Sequence, residues 1–158
     1  MKKIIFNIFI VFFLSNCGFS PIYLQEKNLN YNVEIGNVEG DRLINGIIVS
    51  QLNRDNNDAS INKINININT EYKKTINSKN ATGAAASYEL ISITLIDITK
   101  NNITERLEIT KKFIMDKNDN SFDQDNYEKT IKETFASSIV EQLRYKINSL
   151  EWLLNLSK

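Results

Sequence analysis

The run Ile61-Asn62-Lys63-Ile64-Asn65-Ile66-Asn67-Ile68-Asn69 decides the fold. From Ile64 through Ile66 and Ile68 towards Tyr72, apolar residues alternate with polar ones. Successive side chains of a strand point to opposite faces, so this segment has one buried and one wet face. The run is repetitive enough to pass for low complexity. Strict period two in β-branched residues favours a strand over disorder.

Upstream, Arg54 to Ser60 reads as a polar turn. Before it, Gly40-Asp41 opens a helix in which Leu43, Ile44, Ile47, Ile48 and Leu52 form one apolar face. Earlier still, Tyr31, Val33 and Ile35 alternate, which predicts a first strand over Tyr31 to Val38. Gly36 interrupts it and marks a bulge or the strand end.

Downstream, Ser78 to Ala86 breaks the pattern. A third strand is expected from Tyr88 to Thr99. Its apolar residues sit at Ile91, Ile93 and Leu95, then change phase to Ile96 and Ile98. A bulge, or burial on both faces, would account for the change. Lys100-Asn101-Asn102 reads as a hairpin turn. The fourth strand, Ile103 to Met115, carries Ile103, Leu107, Ile109, Phe113 and Met115 on one side. Arg106, Glu108, Thr110 and Lys112 fall on the other. Asp116 to Asp125 is a polar, acidic loop. Its Asp116-Lys117-Asn118-Asp119-Asn120 lacks the Gly and terminal Glu of a calcium loop, so it reads as solvated. A long helix is expected from about Asn126, with Tyr127, Ile131, Phe135, Ile139, Leu143 and Ile147 four apart. The tail Leu150-Glu151-Trp152-Leu153-Leu154-Asn155-Leu156 is apolar for a terminus. It reads as a last turn packed on the sheet, or as a contact with a partner or membrane.

The expected fold is therefore α+β, a two-layer sandwich of order β-α-β-β-β-α. A four-stranded, mixed and mostly antiparallel sheet is covered on one face by two helices. The first crossover, through a helix, is expected to be right-handed. Leu43, Ile47, Ile66, Ile68, Ile93, Leu95, Ile109, Phe135, Ile139 and Leu143 are expected to share one core.

The start of the chain carries a different message. Met1-Lys2-Lys3 precedes an apolar run from Ile4 to Leu14. This is the shape of a secretory signal. The run is well short of the roughly 20 residues of a spanning helix. Leu14-Ser15-Asn16-Cys17 resembles the bacterial lipobox, with Asn16 where Gly or Ala is usual. The Cys17 thiol would receive a diacylglycerol, a peptidase would cut before it, and the new amine would be acylated. Two or more chains anchor stably where one does not. Gly18, rather than Asp, follows the cysteine. By the enterobacterial sorting rule this favours the outer membrane.

Removing residues 1–16 leaves about 140, enough for one domain with a core. Lys and Arg number 19 and Asp and Glu 19, so the net charge is zero. Nucleic-acid binding would need a basic surface, so none is expected. There is no His, and the single Cys is the lipidation candidate. No metal site, disulfide or cofactor site is therefore expected. No phosphate loop or nucleophile elbow is present, and the paired Asp123 and Asp125 lack an apolar setting. An enzyme is not expected. The abundance of Asn, Ile and Lys reads as the mark of an AT-rich genome.

Cys17-Gly18-Phe19-Ser20-Pro21-Ile22-Tyr23 resembles the Cys-Gly-Phe-x-Pro-Leu-Tyr start of the alphaproteobacterial form of LptE, the lipopolysaccharide-assembly lipoprotein. The element order of the rest of the chain is similar in layout. The resemblance implies residues 1–16 as signal peptide, 17–30 as lipid anchor and linker, and 31–158 as one LptE-like domain. It implies an outer-membrane lipoprotein on the periplasmic side. Such a protein plugs the LptD-type β-barrel, helps it assemble, and binds lipopolysaccharide. No motif transfers lipid-contacting residues. Lipid A phosphates would seek cations beside apolar surface, which points to Lys73, Lys74, Lys79, Arg106, Lys111 and Lys112. The alternative is a periplasm-facing lipoprotein that binds a small ligand.

Overall fold

The alternation read in the sequence becomes strand β2 (Lys63–Lys79). Ile64, Ile66, Ile68 and Thr70 are buried on one face of it. Asn65, Asn67 and Asn69 lie on the other. The computed structural model describes residues 31–155, with side chains as far as residue 150. The other elements are β1 (Asn32–Gly40), α1 (Arg42–Asp55), β3 (Ala85–Lys100), β4 (Ile103–Asp116) and α2 (Ser121–Asn155). The sheet order is β1-β2-β3-β4, with β1 and β2 parallel and the other pairs antiparallel. The fold is the expected α+β arrangement, an open mixed sheet with two helices on one face.

Two glycines shape the first crossover. β1 bulges between Ile35 and Val38. A Cβ on Gly36 would lie 2.3 Å from the Asn67 Oδ1. Gly40 ends the strand at φ +96°, and a Cβ there would stand 1.9 Å from the Thr70 carbonyl oxygen. Only glycine fits both the conformation and the space. Asp41 then caps α1, its Oδ1 accepting from Leu43 N–H at 3.1 Å and Ile44 N–H at 3.0 Å. The β3–β4 turn has Asn101 at φ 49° and Asn102 at φ 65°. Both central residues at positive φ make a two-residue hairpin loop, in which Asn is favoured.

The core lies between sheet and helices. Ile44, Ile48 and Leu52 of α1 meet Ala136, Ile139, Val140, Leu143 and Ile147 of α2 over Val33, Ile64, Ile66, Ile68, Ile96, Ile98 and Ile109. A smaller cluster joins Leu90, Met115, Ile131 and Phe135. Apart from Ala136, each such side chain stabilises by about 1.5–3 kcal/mol when fully buried.

Three expectations are corrected. β3 has no bulge against β4 and pairs regularly with β2 from Asn65–Thr99 to Ile76–Tyr88. Its buried face is Leu90, Ser92, Thr94, Ile96 and Ile98. Ile93 and Leu95 therefore lie on the helix-free face, not in the core. The buried Thr94 is accommodated because its hydroxyl lies 3.0 Å from that of Thr70 on β2. Leu43 and Ile47 are only half-buried; Ile44 and Ile48 point inward instead. Finally, α2 begins at Ser121, earlier than Asn126. Asn120 Oδ1 accepts from Phe122 N–H at 3.0 Å, so the polar loop supplies the helix cap.

A charged lattice fastens the layers. The Lys132 ammonium lies 2.8 Å from Asp41 Oδ2 and 3.8 Å from the centre of the Tyr72 ring. Tyr72 donates to Glu128 Oε1 at 2.8 Å, and Lys74 donates to Glu128 Oε2 at 2.6 Å. Burial alone would raise the Asp41 carboxyl. Hydrogen bonds from Ile44, Leu43 and Lys132, with the lysine's charge, outweigh it and hold Asp41 below its ordinary value. Glu128 behaves alike: burial raises it, and Lys74, Tyr72 and Lys132 together bring it down. The Tyr72 hydroxyl is pushed up, first by burial, then by Glu128 and Asp41. Farther along, Arg144 pairs with the buried Asp55, and Lys146 with Glu105.

Candidate interaction surface

Both helices cover the same face, so the opposite face of the sheet has no layer over it among the described residues. Register places its side chains in cross-strand rows. Asn65 stands beside Thr99, and Thr99 beside Thr104. The next rows are Asn67–Asp97–Arg106 and Asn69–Leu95–Glu108. Then come Glu71–Ile93–Thr110, Lys73–Ile91–Lys112 and Thr75–Glu89–Ile114. The β3 column thus carries Ile91, Ile93 and Leu95 as an apolar strip between polar flanks. Leu95 is 37% exposed.

Much of the charge on this face is paired within it. Arg106 grips Asp97 with two hydrogen bonds, 2.7 Å from Nε and 2.9 Å from Nη2. This bond chiefly holds the Asp97 carboxyl below its ordinary value and pushes the guanidinium up. Lys63 lies 2.8 Å from Glu34, and that hydrogen bond raises the lysine. Lys73 lies 2.7 Å from Glu71. The asparagines are uncharged, and Asn67 Oδ1 already accepts from Asn37 N–H at 2.8 Å. A shallow groove lined by Asn37, Glu39, Asn69, Leu95, Asp97 and Arg106 crosses the face.

The six cations singled out in the sequence are distributed rather than gathered. Lys73, Arg106 and Lys112 lie on the open face. Lys73 and Lys112 flank Ile91 there. Lys74 and Lys111 point to the helix side, where Lys74 also stacks 4.7 Å from the Tyr88 ring centre. Lys79 ends β2 beside the Asn80–Ala84 turn. Lys112, Lys111 and Lys79 make no ion pair among the described residues. Cys17, the signal peptide, the linker and the Trp152 side chain lie outside those residues.

The sequence reading missed a second apolar surface. Ile76, Phe113, Ile114, Phe122 and Tyr127 are all exposed, and all belong to the end of the molecule where β2 and β4 finish and α2 starts. Phe122 is 71% exposed, and the Phe113 and Tyr127 rings meet edge to face at 6.1 Å. Ile114 was the available signal, because it stands out of phase with Phe113 and Met115. No group of acidic, His or Cys side chains suited to a metal occurs among the described residues. No described helix is long and apolar enough to cross a membrane.

Two solved structures share this fold. Rare lipoprotein B from Shewanella oneidensis superposes with a TM-score of 0.56 at 14% identity, over 75% of this chain and 99% of that one. An uncharacterized lipoprotein B from Nitrosomonas europaea also gives 0.56 at 14% identity, over 78% and 88%. No protein-family model matches the chain, and no curated protein matches it. At this identity the likeness establishes the fold.

Proposed function

We propose that this chain is an outer-membrane lipoprotein of the LptE type, held by lipid on Cys17, that seats in an LptD-type β-barrel and assists lipopolysaccharide insertion into the outer leaflet. The observation that carries the reading is the uncovered sheet face. It is polar, with neutral asparagines on β2 and three of its charge pairs closed within it, and it has an apolar strip at its centre. Neutral polar groups cost less to desolvate than free charges. The lumen of an outer-membrane barrel is itself polar and offers hydrogen-bond partners. The Cys17 to Tyr23 motif supports the family reading, and the fold shared with two bacterial lipoproteins agrees with it. Lys73 and Lys112 beside Ile91 are the pair best arranged for a phosphate next to an acyl chain.

Purification of the tagged, lipidated protein in mild detergent tests the proposal. A large outer-membrane barrel in stoichiometric amount, with lipopolysaccharide, is the expected companion. A protein that elutes alone, or with a small ligand only, contradicts it.

A further inference from the structure

β4 is an edge strand, and among the described residues no strand pairs with its outer side. It runs against β3 from Ile103 to Asp116 without a register shift. The opposite edge, β1, is broken by its bulge between Ile35 and Val38. Such a bulge blunts an edge, whereas a long regular edge is a template for another strand. On the open face of β4, Glu108, Thr110 and Lys112 are exposed and stand beside Leu95, Ile93 and Ile91 of β3. The sheet therefore sets no charge across from Glu108 or Lys112. Neither makes an ion pair among the described residues.

We propose that β4 pairs antiparallel with β4 of a second copy of this chain, about a two-fold axis that passes through Thr110 perpendicular to the sheet. Residues placed symmetrically about Thr110 then lie opposite each other on the same face. Glu108 of each copy meets Lys112 of the other, on either side of a Thr110–Thr110 pair. On the helix side Leu107 meets Phe113, which is 38% exposed. Farther out, the Thr104 hydroxyl meets the Asp116 carboxylate. Opposite charges and aromatic–aliphatic pairs directly across a ladder stabilise it, and like charges there destabilise it. Neighbouring registers lack this match. A centre at Glu108 or at Lys111 sets that charge against itself, and one at Ile109 sets Arg106 against Lys112. A centre at Leu107 leaves the strand from Lys112 onward unpaired. Charge complementarity thus selects a second copy in one register. A closed barrel has no edge to offer, so this surface is separate from the face proposed to meet a lumen. The perpendicular axis leaves both open faces uncovered on one side of the continued sheet, and the pairing does not rest on the barrel reading.

Cysteine substitutions on β4 of the full chain, expressed in a Gram-negative host and treated in intact cells with a short bifunctional thiol reagent, test the pairing. The unsubstituted chain, whose single Cys is Cys17, sets the background. Thr110→Cys alone is expected to crosslink to a dimer. Glu108→Cys and Lys112→Cys should each give several-fold less alone, because like positions then stand about 13 Å apart along the strands. Co-expressed with different tags, those two chains should give a mixed dimer. In the Thr110→Cys chain, Glu108→Lys should lower the yield several-fold, and adding Lys112→Glu should restore it. No dimer above background, or an adduct with another protein in its place, overturns the proposal. So do equal yields from the three single cysteine variants, or a yield indifferent to the charge reversals.

Discussion

Asp41 acts at two points of the structure with one carboxylate. Oδ1 caps α1 and Oδ2 holds Lys132 of α2. Both it and Glu128 are held below their ordinary values in the folded chain. A carboxyl depressed on folding contributes stability that is present above its unfolded value, about 4. That contribution is lost as pH falls through the lowered value. The melting midpoint should therefore drop below about pH 4. In Asp41→Asn with Glu128→Gln the drop should be shallower, from a lower start at neutral pH. Parallel profiles for the two proteins would show that neither carboxyl contributes. Gly40 gives a sharper residue-scale test. Gly40→Ala puts a Cβ on the Thr70 carbonyl at a positive φ, and should cost more than about 1 kcal/mol by denaturant unfolding. An unchanged midpoint would mean that the strand-to-helix corner is looser than described.

At the scale of elements, legibility depended on how one-sided each element is. β2 was readable because Ile64, Ile66 and Ile68 all face inward with asparagine between them. The α2 stripe was readable for the same reason, apart from the exposed Tyr127, and Ile66, Ile68, Ile109, Phe135, Ile139 and Leu143 are buried as expected; on α1 the helix was legible but its inward residues were read one position off, as Leu43 and Ile47 in place of Ile44 and Ile48. β3 was not, because it is apolar on both faces and its inward face contains Ser92 and Thr94. Its phase is fixed by register with β2 and by the Thr70–Thr94 contact, neither visible along one strand. The start of α2 was hidden because Asn120 reads equally as loop and as cap. The open face was legible as asparagines on β2, but its apolar centre was not, because Ile93 and Leu95 read along the strand as core residues. Substitutions test the phase. Ile96→Ala should cost about 2–5 kcal/mol. Ile93→Ser, on the open face, should cost no more than about 1 kcal/mol, the size of a cross-strand pair. Equal losses would contradict the assignment of faces.

At the scale of the molecule, the described domain has one side closed by helices and one side open. Apolar side chains are exposed at one end, and Tyr31, the first described residue, lies at the other. The strip of Ile91, Ile93 and Leu95, on a sheet face with no layer over it among the described residues, is the apolar surface the proposed partner would cover. Anchoring is the first requirement of the account. Cys17→Ser should abolish incorporation of labelled palmitate, and equal labelling of the variant would remove the anchor from the account. The central claim is that the open face meets a barrel. Photo-crosslinkers at Asn67, Leu95 and Asn80 in living cells test it most directly. The account predicts adducts between these positions and a large outer-membrane β-barrel. Strong adducts to soluble periplasmic proteins, with none to a barrel, would contradict it.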